Sequence, residues 1–476
     1  MSSLLILSFV VYALILCCIS FAAAHSQATK ENPSSDDKAF IGNRSVNYWV
    51  TALSAHASDM SDWLFLAFPA QIFLYGSDAY MIAFALVGGM WATWHFVAIP
   101  LRQMSEQYQA ITLIDYLETR FNAQNSMLRF LATSITLFFF TMYIAAGIKG
   151  IGIIGETTFN VAYPYSTAIG SILVLAIALI GGFLAAAWTD CFQAIFLLGV
   201  ILLVPSMLFF KHPSINEITA NAASRSLSLI PFSHTPWNAL FNNMAWGLGY
   251  FGMPHILTKL LGSENAHDLK KAKYIGLAWQ ILALSGALFI GIIAIGYVLP
   301  GTITPEQIFI QMVLQNFNPF IAGLMLCGVL AATVSTMLSQ LLLVATTFTH
   351  DFYHTLINKT ASSEHIKNIY RGSLLFFMLF AYSVAYPKNV SIFSLVQYAW
   401  SGLGSSFGPL VLVSLTSYSI TRQGALAGLI GGALGSGLWR FFNGDLLWLG
   451  YSITEMIPGY CVAFVALCTV SYVTKK

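Results

Sequence analysis

Two stretches decide the fold: Ala57-Ser58-Asp59-Met60-Ser61-Asp62 and, about 190 residues later, Gly247-Leu248-Gly249-Tyr250-Phe251-Gly252-Met253-Pro254. Each lies inside a long apolar run, and each places polar, Gly or Pro residues where a lipid-facing helix would carry Leu or Ile. Interrupted hydrophobic segments at corresponding places in two halves of a membrane protein point to a midplane binding site built from broken helices. The pattern is that of a secondary transporter.

Composition agrees. Of 476 residues 57% are hydrophobic and 8% charged, and the mean hydropathy is +0.73. A soluble domain is nearer a quarter charged, so the chain is a polytopic membrane protein. Runs of roughly 20 apolar residues suffice to span a bilayer as helices. About thirteen spans are expected, at 3–23, 47–75, 79–100, 128–156, 166–187, 191–210, 237–259, 274–299, 320–348, 372–388, 392–418, 423–441 and 447–473. The alternating ten-residue pattern of a β-barrel is missing.

Charge placement sets the orientation. Alternate loops, beginning with 24–44 and 100–129, hold 16 of the 21 Lys and Arg. By the positive-inside rule this puts the N-terminus outside and the C-terminus in the cytoplasm of a plasma membrane of the bacterial inner type. Ala22-Ala23-Ala24 resembles a signal-peptide cleavage site, but no basic segment precedes Leu4 and the apolar run is longer than a signal core. The six cysteines lack metal-ligand spacing and read as packing residues. No nucleotide-binding loop is present, so ATP on this chain does not drive transport.

The loops are too short for a soluble domain. One membrane domain, 1–476, is expected: an extra helix and loop at 1–45, a five-helix unit at 46–211, a second at 237–420 and extra helices at 421–476. An odd number of helices per unit inverts the second unit relative to the first.

Ala332, Ser335 and Thr336 share a helix face at i, i+3 and i+4. Two hydroxyls beside a small residue offer hard oxygen ligands; back-bonding to their own helix is the structural alternative. If the first helix unwinds at Ala57–Ser61, its freed carbonyls need partners, and carbonyls of Ala57 and Met60 added to these hydroxyls and the Ala332 carbonyl would make roughly a five-oxygen cation site. Asp59 is costly at membrane depth and is a functional candidate, or else a capping carboxylate. Trp246, Tyr250 and Pro254 recur every four residues with glycines beside them, which suits a pocket for a small, partly apolar ligand.

In these residues the chain resembles the sodium:solute symporter family, most of all its sodium/proline symporter branch. The ordered set is Ala57 to Ser61, Trp188-Thr189-Asp190 with Gln193, Trp246 to Gly252 with Pro254-His255, and Leu330-Ala331-Ala332 with Ser335-Thr336. Thr112-Leu113 through Arg120-Phe121 and Ala399-Trp400 through Gly408-Pro409 extend it. The resemblance implies an all-α fold with a five-plus-five inverted repeat, as in sodium-coupled amino-acid transporters, with extra terminal helices. It implies a Na+ site from the carbonyls of Ala57, Met60 and Ala332 and the hydroxyls of Ser335 and Thr336. It implies a substrate pocket using Ser61, Tyr143, Trp246, Tyr250 and Pro254, and gating or coupling roles for Arg44 and Asp190; beside it, Asp62 and Met253 are further substrate-binding candidates, and Asp59 and Lys149 further coupling or gating candidates. The expected activity is symport of L-proline with sodium, not enzymatic catalysis, and no nucleic-acid partner is expected.

The chain departs from that branch at Asp62, where proline symporters carry Gly, and at Met253, where they carry Gln. His56 stands in place of Gly, Lys259 in place of Arg, and Lys149 lies one turn before the place of an Arg. An acid and a base inside the membrane are easier to hold as a pair, so Asp62 is expected to pair with Lys149 or to contact the substrate amine or a cation. At the start of a half-helix, an Asp62 anion would repel a substrate carboxylate. Another small carboxylate and a cationic solute are therefore the alternative substrates. A solute sensor would need an output domain that this sequence lacks. An intramembrane aspartyl protease needs two carboxylates sharing a proton, and here Gly247-Leu248-Gly249 leads to Tyr250.

Overall fold

The computed structural model describes residues 3–28, 46–122, 126–180, 183–211, 214–232, 235–416, 420–442 and 453–475, and these are helical with short connections. The order is α1 (Ser3–Ala28), α2 (Tyr48–Asp59), α3 (Ala67–Tyr75), α4 (Tyr80–Ala92), α5 (Ala98–Gln107), α6 (Leu113–Arg120), α7 (Met127–Phe159), α8 (Tyr163–Ile180), α9 (Phe183–Lys211) and α10 (Ile215–Ser224). Then come α11 (Trp237–Met244), α12 (Pro254–Leu261), α13 (Leu269–Tyr297), α14 (Ile308–Asn316), α15 (Pro319–Thr346), α16 (Ser363–Ala385), α17 (Ile392–Ser414), α18 (Arg422–Gly437), α19 (Trp439–Phe442) and α20 (Met456–Thr474). Among the described residues, six helical stretches are long and apolar enough to cross a membrane, from Asp62–Gln107 to Met456–Thr474. Helices dominate because backbone N–H and C=O groups in hydrocarbon must be satisfied within their own segment.

Two helices break where the sequence predicts. α2 stops at Asp59; Met60 (φ −92°, ψ 82°) and Ser61 (φ −76°, ψ −160°) leave the helical region. A single turn, Asp62–Leu64, restarts the segment, with the Ser61 hydroxyl accepting from the Trp63 N–H at 3.2 Å. In the second break α11 passes into a tight turn over Ala245–Phe251, and Met253 is extended. Pro254 then opens α12, where its missing N–H costs nothing.

The break also brings backbones close. A Cβ at Gly252 would lie 2.6 Å from the Gly404 carbonyl oxygen of α17. The long α7 packs against α8, α15, α16 and α17, and α2 packs against α9, α13 and α15, so the interrupted segments lie inside the bundle. Large aromatic and aliphatic side chains on outer faces, such as Ile172 and Phe210, stay exposed as in a lipid-facing surface. Cys18, Cys191, Cys327, Cys461 and Cys468 are free thiols.

Replacing Gly252 by Ala should force α17 away from the second break at about 1–3 kcal/mol, the usual cost of overpacking. Gly88 meets nothing within 4 Å of an added Cβ. A lowered unfolding midpoint in detergent for Gly252→Ala, with Gly88→Ala unchanged, is the expected result.

Candidate functional site

At the first break the helix ends before Ser61, whose N–H would have served the Ala57 carbonyl in a continuous helix. That carbonyl instead accepts from the Thr336 hydroxyl at 3.3 Å and the Ser335 hydroxyl at 3.4 Å. Ser335 also reaches the Ala332 carbonyl at 3.1 Å. Ala57, Ala332, Ser335 and Thr336 thus converge across the α2–α15 contact, all within 1% of full burial. Oxygens at this spacing match the ligand edge of a hard cation held at ~2.3–2.6 Å, so the donor set fits a sodium ion. Met60 closes α2 through its N–H to the His56 carbonyl at 3.1 Å; no hydrogen bond joins it to the hydroxyl pair.

One residue before Met60, Asp59 accepts a 2.5 Å hydrogen bond from the Tyr250 hydroxyl. Tyr250 in turn accepts from Gln280 Nε2 at 2.9 Å. The two breaks are therefore tied directly to each other and to α13. Beside this link is an open cleft. Of the expected pocket residues, Tyr143, Trp246 and Tyr250 line it. Asp59, Met60, Trp63, Leu86, Val396 and Trp400 line it too, and sequence reasoning did not place them there. For Trp400 the signal was its place in the Ala399-Trp400 family match. Its indole N–H donates to the Trp246 carbonyl at 2.9 Å and its ring meets Tyr250 edge-on at 5.0 Å. Trp63 and Trp246 lie 5.7 Å apart. One carboxylate among aromatic faces is an environment for a small cation or ammonium group.

The remaining expected residues lie elsewhere. Ser61 caps the restarted turn and also reaches the hydroxyl of the cleft residue Tyr143, although it does not itself line the cleft. Met253 is fully buried, and Pro254 lines a different cavity. Asp62 opens the restarted turn, with both carboxylate oxygens buried and without hydrogen-bond partners. It packs against Gly150 of α7. Lys149 does not pair with it: its Nζ donates to the Lys388 carbonyl at 2.7 Å and lies 5.4 Å from the Tyr163 ring. The expected Asp62–Lys149 pair fails for a geometric reason. Consecutive residues project about 100° apart on a helix, so the face that presents Gly150 to Asp62 turns Lys149 away. Arg44 lies outside the described residues.

Asp190 is buried beneath α2. Its Oδ2 receives Lys259 Nζ at 3.2 Å and the hydroxyls of Ser54 and Ser58 at 3.3 and 3.4 Å. Ser58 also meets Ser339 at 3.3 Å. The cluster joins α2, α9, α12 and α15 around one compensated charge.

The sequence profile of the sodium:solute symporter family matches residues 39–432. The sodium/proline symporter of Escherichia coli (strain K12) is 35% identical over 483 residues, covering 100% of this chain and 94% of that protein. The high-affinity proline transporter PutP of Bacillus subtilis (strain 168) is 36% identical over 440 residues, covering 91% and 92%. Among solved structures, a Na+-coupled sialic acid symporter in a substrate-bound outward-open state superposes with a TM-score of 0.79 at 15% identity, over 99% of this chain and 98% of that one. That likeness shows a shared all-helical fold.

Lys259→Met should strand the Asp190 charge and destabilise the protein by about 3–5 kcal/mol. Adding Asp190→Asn should recover much of that loss. Equal destabilisation in the single and double variants, measured by thermal unfolding in detergent, would show that the pair is not the stabilising contact.

Proposed function

The chain belongs to the sodium:solute symporter family, and from that premise we propose that it is a sodium-coupled symporter that imports L-proline across the cytoplasmic membrane. The observation that carries the reading is the adjacency of two sites on one broken helix. The oxygen cluster at Ala57 and the cleft at Asp59 are separated by a step of two residues at the point where the helix unwinds. Whatever orders that chain for the ion also orders it for the solute.

In this reading the carbonyls of Ala57, Met60 and Ala332 and the hydroxyls of Ser335 and Thr336 hold Na+. The cleft takes proline, with its ammonium group toward Asp59 and its apolar ring among Tyr143, Trp246, Tyr250 and Trp400. Sodium then raises proline affinity, and proline raises sodium affinity by the same factor. One ion site implies one sodium per solute. The Asp190–Lys259 cluster holds α2 against α12, where a change of access must act. Ser61, Asp62, Met253 and Pro254 flank the two breaks and shape the pocket through backbone position, with Lys149 bracing α7 near its outer end and Arg44 acting near the cytoplasmic face.

The architecture that goes with this function is thirteen spans, N-terminus outside and C-terminus inside, with inverted units at 46–211 and 237–420. The matched breaks after Asp59 and at Gly252–Met253, and the bias of Lys and Arg to alternate loops, support it. A cationic solute is the second reading, favoured by the buried carboxylate of Asp62, next in the chain to the cleft residue Trp63.

Uptake of radiolabelled proline into proteoliposomes tests the proposal. Accumulation should follow an inward sodium gradient and stop when potassium replaces sodium. Ser335→Ala/Thr336→Ala removes two ligands of a charged ion at about 1.5 kcal/mol each, so sodium affinity should fall by about 100-fold. Proline uptake indifferent to sodium would overturn the ion assignment.

Tyr250→Phe deletes the donor to Asp59 and leaves Gln280 without its acceptor, a loss of about 1–3 kcal/mol. A raised KM for proline with little change in protein yield is the expected outcome.

A further inference from the structure

On the outer surface of the bundle, exposed rings and basic nitrogens lie in one row. α4 passes into a five-residue π turn, Thr93–Val97, before α5 begins. This wider turn leaves the consecutive residues His95 and Phe96 both exposed, and π turns are frequent at functional sites. Trp91 stacks on His95 with ring centroids 5.1 Å apart, and Phe96 meets His95 edge-on at 4.7 Å. His95 Nδ1 lies 3.4 Å from Lys273 Nζ of α13, and that ammonium lies 4.9 Å from the Tyr274 ring. Trp91, Phe96 and Tyr274 are 45%, 58% and 69% exposed. α13 packs against α4 and the π turn, so the row Trp91–His95–Lys273–Tyr274 crosses from one helix to its neighbour without a gap.

The charge of this row is one-sided. An ammonium only donates, so His95 Nδ1 accepts from Lys273 and Nε2 carries the remaining ring proton as a donor. The neighbouring carboxylates are engaged elsewhere, Asp268 with Lys271 at 3.1 Å and Glu106 with Arg102 at 2.8 Å. Among the described residues, no carboxylate forms an ion pair with Lys273 or His95. Lys270 and Lys273 lie in the first turns of α13 and share the face of Tyr274 at i, i+3 and i+4. The helix dipole disfavours cations at that end, so these lysines do not serve the helix; the same dipole adds to the pull on an anion. Lys271, by contrast, turns to Asp268 and to the Tyr48 ring at 5.3 Å. In the topology proposed above the row lies at the cytoplasmic interface, where spans 79–100 and 274–299 meet their inner loops and where aromatic rings sit at headgroup depth.

We propose that this row binds one anionic phospholipid of the cytoplasmic leaflet. The headgroup phosphate sits against Lys273 Nζ and the His95 Nε2–H, with Lys270 beside it. The acyl chains lie along Trp91, Phe96 and the exposed Ile281, two turns beyond Tyr274 on α13. Basic pockets between membrane helices on this side suit such headgroups. Gln280, whose amide donates to Tyr250 at 2.9 Å, follows Lys273 by seven residues, so the headgroup holds the end of the helix that braces the contact between the two breaks. The inference rests on the membrane topology and not on the identity of the solute.

Native mass spectrometry of the purified full-length protein in neutral detergent, titrated with phosphatidylglycerol, tests it. One phosphatidylglycerol should bind ahead of all others and more tightly than phosphatidylcholine. Lys273→Gln should weaken that first binding by about fivefold, and His95→Gln should weaken it too. Both should diminish the rise in unfolding midpoint that the lipid produces. Lys271→Gln removes the same charge from the same turn and should leave binding and midpoint shift unchanged. Equal binding of the two lipids would overturn the inference, as would undiminished binding in both Lys273→Gln and His95→Gln. Equal losses in Lys271→Gln and Lys273→Gln would show attraction by bulk charge alone and overturn the site. Displacement of the lipid by an equal concentration of glycerol 1-phosphate would show an anion site without an acyl wall and overturn the lipid assignment. Each of these failures leaves sodium-driven proline uptake, and the symport reading, untouched.

Discussion

The hydrogen bond from Tyr250 to Asp59, at 2.5 Å, is the contact on which the centre of the molecule depends. It joins the two places where helices are interrupted, and interruption is the costly feature of this fold. A continuous membrane helix satisfies its own backbone; a broken one exposes carbonyls and N–H groups that must find new partners. Here the Ala57 carbonyl turns to the Ser335 and Thr336 hydroxyls, Ser61 caps its own restarted turn, and Pro254 removes one donor outright. The Asp59 carboxylate, expensive by itself, is held by a donor on the opposite break and by Gln280 behind it. The solutions at Ala57 and Asp59 leave groups at the oxygen cluster and at the cleft.

Buried charge is managed in three ways. Asp190 and Lys259 compensate each other with two serines in support. Arg129 gathers three carboxylates at one end of α7. Lys149 is satisfied by a backbone carbonyl and an aromatic face. Asp62 is the exception, buried against Gly150 with neither oxygen bonded. An unpaired carboxylate of this kind is retained at a cost of several kcal/mol or is neutralised. Its place at the start of the restarted turn, where the helix dipole favours an anion, offsets part of that cost.

The breaks are legible in the sequence because Ser, Asp, Gly and Pro clustered inside an apolar run are incompatible with a plain lipid-facing helix. The hydroxyl pair is legible because Ser335 and Thr336 lie with Ala332 at helical spacing. Tyr143, Trp246 and Tyr250 are expected in one pocket, and the structure places them on one cleft. Val396, Leu86 and the wall formed by Trp63 are not legible: an apolar residue facing a cleft looks the same in sequence as one facing another helix. Asp62 looks like a partner for Lys149 because charge balance is visible in sequence while rotation about α7 is not. The fit of His56 is likewise tertiary, since Gly276 opposite it leaves the room the imidazole occupies.

The sequence alone determined membrane residence, the helical class and the location of both interruptions. These follow from local chemistry: hydropathy over twenty residues, and backbone groups that a short polar or proline-containing segment cannot satisfy as a helix. Only the tertiary structure decided which side chains meet. The Asp59–Tyr250 bond spans 191 positions in the chain, and Tyr143, Trp246 and Trp400 come to one cleft only once α7, α17 and the second break pack together. Such juxtapositions depend on how helices rotate and cross, which is set by the packing of whole faces and is written in no single segment.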